Sequence, residues 1–161
     1  MKYCNTPICQ NAPLAAALVF GNQEHPRLKG AVRFYQATER GILIEAEFFH
    51  LPKADESDIP MFFGFHIHEN GDCSDNFANT GSHYNPQNQI HPYHAGDLPS
   101  LLSNRGYAWT VFFDSYLTIP EIIGKSVVVH KLADDFSTQP SGNSGTKIAC
   151  GVIQPWKESG I

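Results

Sequence analysis

The stretch ILIEAEFF at residues 42–49 decides the fold class of this chain. Its apolar residues at 42, 44, 46 and 48 stand at every second position, whereas Glu45 and Glu47 stand between them. Successive side chains of a β-strand point to opposite faces, so this alternation predicts a strand with one buried face and one solvated face.

The same period-two pattern recurs along the chain, with Gly and Pro clusters between the segments, and helical periodicity is nearly absent. It predicts strands at residues 14–20, 28–36, 42–49, 62–68, 107–113, 126–130 and 148–153. The polar stretch 69–104 is too long for an ordinary strand connection, and 131–145 is a second irregular stretch. Together these features predict an antiparallel all-β domain with two long loops.

Length and composition predict one globular domain, because 161 residues with 42% hydrophobic and 17% charged side chains can bury a core. The net charge of -5 and the lack of a Lys/Arg cluster argue against nucleic acid or an anionic membrane as a partner. The longest apolar stretches, such as residues 14–20, are too short to span a bilayer. Because Pro7, Asn11 and Pro13 interrupt any signal-peptide core, we expect a cytoplasmic protein, or an exported one if Met1 replaces a removed leader.

Histidines carry the main functional signal, since six of the eight fall between His66 and His130. Residues i and i+2 of a strand share a face, so His66 and His68 can point at one metal ion. The following loop adds four nitrogen and oxygen donors that can surround zinc tetrahedrally: His83, His91, His94 and Asp97. His130 ends an apolar run at 127–129, where a buried imidazole needs a metal or a hydrogen-bond partner. For each residue taken singly, exposure in a loop or ordinary packing is the alternative.

Five motifs in order carry a resemblance to a known family. They are GFHIHENGD at 64–72, GSHYNP at 81–86, HAGDL at 94–98, VVHKLADD at 128–135 and GNSGTKIACGVI at 142–153. From about residue 14 to residue 153, the chain resembles the copper/zinc superoxide dismutases. The resemblance implies a Greek-key, immunoglobulin-like antiparallel β-sandwich, an eight-stranded flattened barrel with two long functional loops. It also implies one domain over 1–161, with an N-terminal extension at 1–13, a metal and disulfide loop at 69–104 and a channel loop at 131–147.

The resemblance further implies two metal sites. Copper is expected at His66, His68, His83 and His130, and zinc at His83, His91, His94 and Asp97, with the His83 ring bridging both metals. Imidazoles with an open position suit redox-active copper, and histidines with a carboxylate suit zinc. Asp134 matches the family's aspartate that hydrogen-bonds the far nitrogens of His66 and His91.

The implied reaction is the disproportionation of superoxide to oxygen and hydrogen peroxide by copper redox cycling, with zinc in a structural role. Protons are expected to arrive through His83 and solvent, and Lys147 is expected to draw the anion inward. Relatives are often homodimers, although the residues after 153 give no readable interface. The alternatives are a copper- and zinc-binding protein of the same fold that stores or buffers metal without catalysis, and a plain β-sandwich interaction module.

The four cysteines are even in number and show no C-x-x-C spacing, which disfavours a zinc finger or a thioredoxin motif. By resemblance, Cys73 and Cys150 form the family's disulfide, which ties the long loop to the last strand. Cys4 and Cys9 have no counterpart in the family, and their pairing with each other is a hypothesis that the resemblance does not address. Four reduced, packed thiols are the alternative in a cytosolic protein.

Three departures from the family pattern bear on activity. Lys147 stands where the family usually has arginine, and a mobile point charge replaces a rigid fork of donors, so we expect reduced but not absent activity. Only Pro92 and Tyr93 separate His91 from His94, where relatives commonly have a longer insert, but two histidines at this spacing in a turn can still reach one ion. The stretch from 130 to 147 is short and lacks a charged run, so a more open active site is expected.

Overall fold

The computed structural model describes residues 12–37, 41–53 and 61–157. Its elements are β1 (Ala15–Gly21), β2 (Lys29–Gln36), β3 (Ile42–Phe49), β4 (Met61–Phe63), β5 (Phe65–His68), a 3-10 helix (Asp75–Thr80), β6 (Leu101–Ser103), β7 (Tyr107–Asp114), α1 (Ile119–Ile122), β8 (Ser126–His130), β9 (Lys147–Val152) and β10 (Gln154–Pro155). Cys4, Cys9 and most of the predicted extension 1–13 lie outside the described residues.

One curled antiparallel sheet forms most of the structure, with the strand order β5-β8-β9-β1-β2-β3-β7. A short sheet of β4 and β6 lies where the chain passes between the two ends of this large sheet, and β10 pairs with β1. Some neighbouring strands, such as β3 with β7 and β5 with β8, are far apart in the sequence. Such pairs are joined by long connections and not by tight hairpins. The predicted all-β fold with an antiparallel sandwich architecture is confirmed.

The alternation in β3 is confirmed on its inner face, where the residues at 42, 44, 46 and 48 are all buried in the core. The outer face is less wet than the sequence predicts. Glu45 is only 9% exposed, because Tyr35 and Trp109 cover it and donate hydrogen bonds of 2.9 and 3.2 Å to its carboxylate. Arg33 adds an ion pair at 3.5 Å. Burial and the nearby Glu45 raise the pKa of Tyr35 to about 12.

The predicted strand at 62–68 is interrupted at Gly64, which separates β4 from β5. The Gly64 N–H donates to the Leu132 carbonyl at 2.7 Å, and the His130 N–H donates to the Gly64 carbonyl at 2.8 Å. A Cβ atom at Gly64 would lie 2.8 Å from the Ser144 side chain, so glycine permits this close approach. The sequence also missed β6, which lies inside the predicted loop 69–104, together with β10 and the two short helices.

The long loop is tied to the sheet by a disulfide between Cys73 and Cys150, as the resemblance implied. Cys150 lies in β9, and a small buried cluster with Phe77 and Val128 packs around it. Cα atoms of the bridged residues are 5.8 Å apart, within the ordinary range for a disulfide. Among the described residues, no helix is both long and apolar enough to cross a bilayer.

Removal of the disulfide by Cys73→Ala and Cys150→Ala should lower the free energy of unfolding by about 4 kcal/mol, because the bond closes a long loop in the unfolded chain. The separation of 77 residues sets this magnitude. Urea denaturation measures it. As a control, a thiol reductant should destabilise the original protein by a similar amount and should affect the variant much less. A wild-type curve that does not respond to the reductant would contradict the prediction.

Candidate metal centre

The metal centre is built on β5, whose backbone is hydrogen-bonded along both edges. On one edge, β5 pairs with β8, with His66 opposite Val128. On the other edge, isolated bridges join His66 to Asp97 and His68 to His83. These bridges place ligand-bearing residues of the loop directly beside the two histidines of the strand. The backbone therefore fixes the register between strand ligands and loop ligands.

Two groups of metal-ligating side chains result, and they share His83. The histidine cluster contains His66, His68, His83 and His130, and the mixed cluster contains His83, His91, His94 and Asp97. Within each cluster, one ligand atom per residue lies within 4.8 Å of every other. All seven residues that the sequence singled out are thus brought together, and the short spacer between His91 and His94 does not keep them apart.

The outward nitrogens of the histidine cluster are held by acceptors. His68 Nδ1 is bonded to the Gly81 carbonyl at 2.9 Å, and His130 Nδ1 to the Gly145 carbonyl at 3.1 Å. A carbonyl oxygen can only accept, so in neutral rings the proton sits on Nδ1 and the lone pair on Nε2. The two Nε2 atoms then face each other at 3.2 Å. Two facing lone pairs favour a shared cation between them.

Asp134 joins the two clusters from behind, as the resemblance implied. Its two carboxylate oxygens accept from His66 Nε2 at 2.7 Å and from His91 Nε2 at 2.9 Å. Burial alone would raise the pKa of Asp134, but hydrogen bonds from His66, the Phe136 N–H and His91 outweigh it and lower that pKa to about 2. The aspartate is therefore charged, and it sets the tautomer of both rings.

The mixed cluster shows the clearest signature of an ion site. Asp97 Oδ2 lies 3.0 Å from His91 Nδ1, yet this nitrogen forms no hydrogen bond to it. Because His91 donates through Nε2 to Asp134, the neutral ring presents a lone pair at Nδ1, toward a carboxylate oxygen. Two electron-rich atoms at this distance repel each other unless a cation lies between them.

Four inward ring nitrogens are buried without a hydrogen-bond partner: His66 Nδ1, His83 Nε2, His91 Nδ1 and His94 Nδ1. Burial lowers the pKa of His68 to about 2 and of His130 to about 3, so these rings are neutral at physiological pH. Neutral imidazoles with free lone pairs are what metal ions require. The residues therefore fit copper at the histidine cluster and zinc at the mixed cluster, where a carboxylate joins the imidazoles.

Lys147 is less mobile than the sequence predicts. Its ammonium group donates to Thr80 Oγ1 at 2.7 Å, to the Gly81 carbonyl at 3.1 Å and to the Phe77 carbonyl at 3.3 Å. These three acceptors match the three N–H donors of the group. Partial burial lowers the pKa of Lys147, although the nearby Glu69 opposes that shift. Sequence reasoning missed Thr80, because no motif signals a buried threonine that anchors a lysine.

A cavity of about 610 Å³ leads to the histidine cluster, with His68, His83 and His130 in its wall. Among the described residues that line the cavity, Lys147 is the one lysine or arginine and Glu69 is the one acidic residue. Amide side chains supply much of the remaining polar wall: Asn85, Asn88, Gln89 and Gln139. This wall agrees with the expected lack of a charged run, and the volume greatly exceeds that of a diatomic anion.

Fold and site together define a β-sandwich protein with two adjoining metal sites that share one histidine. Comparison with known proteins gives the family: residues 28–153 match the model of copper/zinc superoxide dismutase (SODC). The chain belongs to the copper/zinc superoxide dismutase family.

Individual relatives agree with this assignment. Superoxide dismutase [Cu-Zn] A of Xenopus laevis is 33% identical over 78% of this chain and 89% of its own length. The extracellular superoxide dismutase [Cu-Zn] of Drosophila melanogaster is 32% identical over 93% of this chain and 90% of its own. The crystal structure of the clock protein EA4 superposes with a TM-score of 0.75 at 30% identity, covering 97% of this chain and 100% of that one. Relatives therefore include a protein whose name describes a role other than dismutation.

The metal-free protein should lose stability as the pH falls below about 6.5, the value expected for an unfolded histidine. His68 and His130 take up protons in the unfolded chain from that pH downward, but in the folded protein only near pH 2 to 3. Between pH 7.5 and pH 5.5 these two rings together should lower the free energy of unfolding by roughly 2–3 kcal/mol. Urea denaturation of chelator-treated protein at both pH values measures the difference.

The exposed His50 provides a control, because His50→Asn should leave the difference between the two pH values unchanged. Equal stability of the metal-free protein at pH 7.5 and 5.5 would contradict the prediction.

Proposed function

We propose that this protein is a superoxide dismutase, with copper held by His66, His68, His83 and His130 and zinc by His83, His91, His94 and Asp97. The observation that supports this most directly is the position of the histidine cluster, since three of its four residues, His68, His83 and His130, line the wall of a cavity. A storage site would need no such access for a small anion beside a fixed ammonium group. Superoxide, the substrate of the family, is the proposed substrate here.

Copper bound at the histidine cluster would supply the one-electron redox couple that oxidises one superoxide and reduces the next, and zinc bound at the mixed cluster would have a structural role. The protein's own groups do the rest. Asp134 and the carbonyls of Gly81 and Gly145 orient the ligand rings, so that little reorganisation is needed. His83 Nε2 is proposed to take up a proton from solvent and pass it to the substrate, because this buried nitrogen has no hydrogen-bond partner in the described residues that would compete for the proton.

Lys147 is proposed to guide the anion by its charge and not by a direct hydrogen bond. Its ammonium group lies in the cavity wall, but each of its N–H groups already has an acceptor in the protein. The attraction of a fixed charge survives this arrangement, whereas a directional contact to superoxide requires one of the three bonds to break. This is the physical reason to expect activity below that of relatives with arginine.

The second candidate function is a copper- and zinc-binding protein without catalysis. The same saturation of Lys147 favours it, since no free donor is left to hold an anion beside the histidine cluster. The name of the structural relative EA4 also shows that the fold occurs in a protein described by another role. A homodimer and a cytoplasmic location stay predictions, and the relatives include an extracellular form.

Metal analysis beside a superoxide-removal assay separates the two functions. Purified protein is stripped with a chelator, reloaded with zinc alone or with zinc and copper, and assayed after each step. Superoxide removal that appears only after copper is added supports the dismutase. Protein that binds one equivalent of each metal and still fails to remove superoxide supports the non-catalytic alternative.

Replacement of Lys147 by arginine should increase anion binding and rate. Arginine has five N–H donors, so two remain for an anion after three acceptors are satisfied. One hydrogen bond to a charged group contributes about 1.5 kcal/mol, which corresponds to roughly tenfold tighter binding. Azide titration of the copper-loaded protein, followed by its absorption spectrum, measures the affinity.

Lys29→Arg is the matched control, because Lys29 is exposed on β2 and lies outside the cavity wall. It should leave azide binding unchanged. If Lys147→Arg gains neither azide affinity nor rate, the proposed role of the saturated ammonium group is wrong.

A further inference from the structure

The side chain of Gln139 forms a two-point clasp on the backbone of His91. Gln139 Nε2 donates to the His91 carbonyl at 2.7 Å, and the His91 N–H donates to Gln139 Oε1 at 3.0 Å. The amide thus copies the paired hydrogen bonds that a neighbouring β-strand would make. The two residues are 48 apart in the sequence, so the clasp joins the zinc-ligand loop to the channel loop.

The clasp satisfies groups that otherwise have no backbone partner within the part of the chain that the structure describes. His91 is 1% exposed, so water cannot readily replace the two bonds. A buried N–H and a buried carbonyl that are both left unpaired destabilise the folded arrangement that buries them. Loss of the Gln139 amide therefore favours a shift of the His91 backbone toward solvent, and its imidazole would move with it.

The same segment also holds the ring of His91. Asp134 accepts from His91 Nε2 at 2.9 Å, so Asp134 holds the ring of His91 while Gln139 holds its backbone. The segment between them is internally braced: the Asp135 carboxylate accepts from the Ser137 N–H at 2.9 Å and from the Thr138 N–H at 2.8 Å. Because this segment is held by its own hydrogen bonds, its two contacts with His91 can fix the position of that residue.

The short spacing of the candidate zinc ligands at residues 91–94 explains why the backbone of His91 needs support from another segment. Only Pro92 and Tyr93 lie between His91 and His94, so both imidazoles must converge from a very short turn. Neighbouring bonds stabilise only adjacent turns: Asn85 and Gln89 are bonded to each other, and the Tyr93 N–H donates to the Ile90 carbonyl at 2.8 Å. None of them fixes the His91 backbone itself.

We infer that Gln139 is a positioning residue of the mixed cluster, which sets zinc affinity by holding the backbone of His91 in its ligating place. The inference rests on the proposed assignment of zinc to His83, His91, His94 and Asp97. Within the described residues, the Gln139 side chain hydrogen-bonds to the His91 backbone and the Ser137 carbonyl but to no ligand atom, so it acts through the backbone of His91. Removal of outer contacts of this kind commonly lowers metal affinity about 10- to 100-fold.

The test compares Gln139→Leu, which loses both bonds, with Gln139→Glu, which keeps the acceptor and loses the donor. Zinc affinity is measured by competition with a chromophoric chelator, and copper affinity is measured separately in the same way. The Gln139→Leu variant should bind zinc about 10- to 100-fold more weakly, with copper affinity changed less than threefold. Gln139→Glu should also weaken zinc binding, because a carboxylate oxygen would face the His91 carbonyl where an N–H now donates. Absorption bands of cobalt at the zinc site should change in shape in Gln139→Leu.

Gln89→Leu is the matched control, because the Gln89 amide also lies in the cavity wall but, among the residues that the structure describes, donates only to the Gln87 carbonyl, at 3.4 Å. It should bind zinc as the original protein does. Unchanged zinc affinity and an unchanged cobalt spectrum in Gln139→Leu would overturn the inference. Equal losses of zinc affinity, copper affinity and thermal stability would also overturn it, because they indicate general destabilisation.

The more conservative Gln139→Glu variant keeps the inference testable if Gln139→Leu does not fold. Its zinc affinity should then lie below that of the original protein, and equal affinity would count against the clasp. If the original protein binds no zinc, the site assignment itself is wrong. Because zinc affinity is read without any superoxide assay, failure of this inference is distinguishable from failure of the proposed activity.

Discussion

The metal centre depends on one constraint, which is that the backbone of β5 is hydrogen-bonded along both edges. β8 pairs with one edge, and on the other the Ile67 N–H donates to Gly96 while the Ile67 carbonyl accepts from Tyr84. Loop and strand ligands are therefore locked in one register before any metal binds. A Cβ atom at Gly96 would collide with the Ile67 carbonyl, so glycine is required at this contact.

This arrangement orients the ligand rings for metal binding but lowers the folding stability of the metal-free protein. Four buried ring nitrogens lack hydrogen-bond partners, and each such group opposes folding in the absence of a cation. The disulfide and the bonds from Lys147 to the disulfide loop hold the same region from outside and offset part of that cost. The protein thus keeps its ligand rings oriented at the expense of a less stable metal-free form.

Sequence reasoning predicted the parts that depend on local pattern or on motif. The bounds of β3 and β8 are as predicted, because alternation or an unbroken apolar run defines them. Motif resemblance predicted the seven clustered ligands and the disulfide. The break at Gly64, the three acceptors around Lys147 and the Gln139 clasp were missed, because each depends on which distant backbone atoms come close after folding.

The protonation of the ligand rings has a consequence for how metals load. Four rings keep their proton on the outward nitrogen, because that nitrogen is bonded to the Asp134 carboxylate or to the carbonyl of Gly81 or Gly145. The inward nitrogens of these four rings therefore carry no proton. His83 differs, because its Nδ1 proton lies on the bond to Asp97 at 2.7 Å. Filling both sites therefore displaces this His83 proton, so metal loading releases a proton and is favoured as the pH rises.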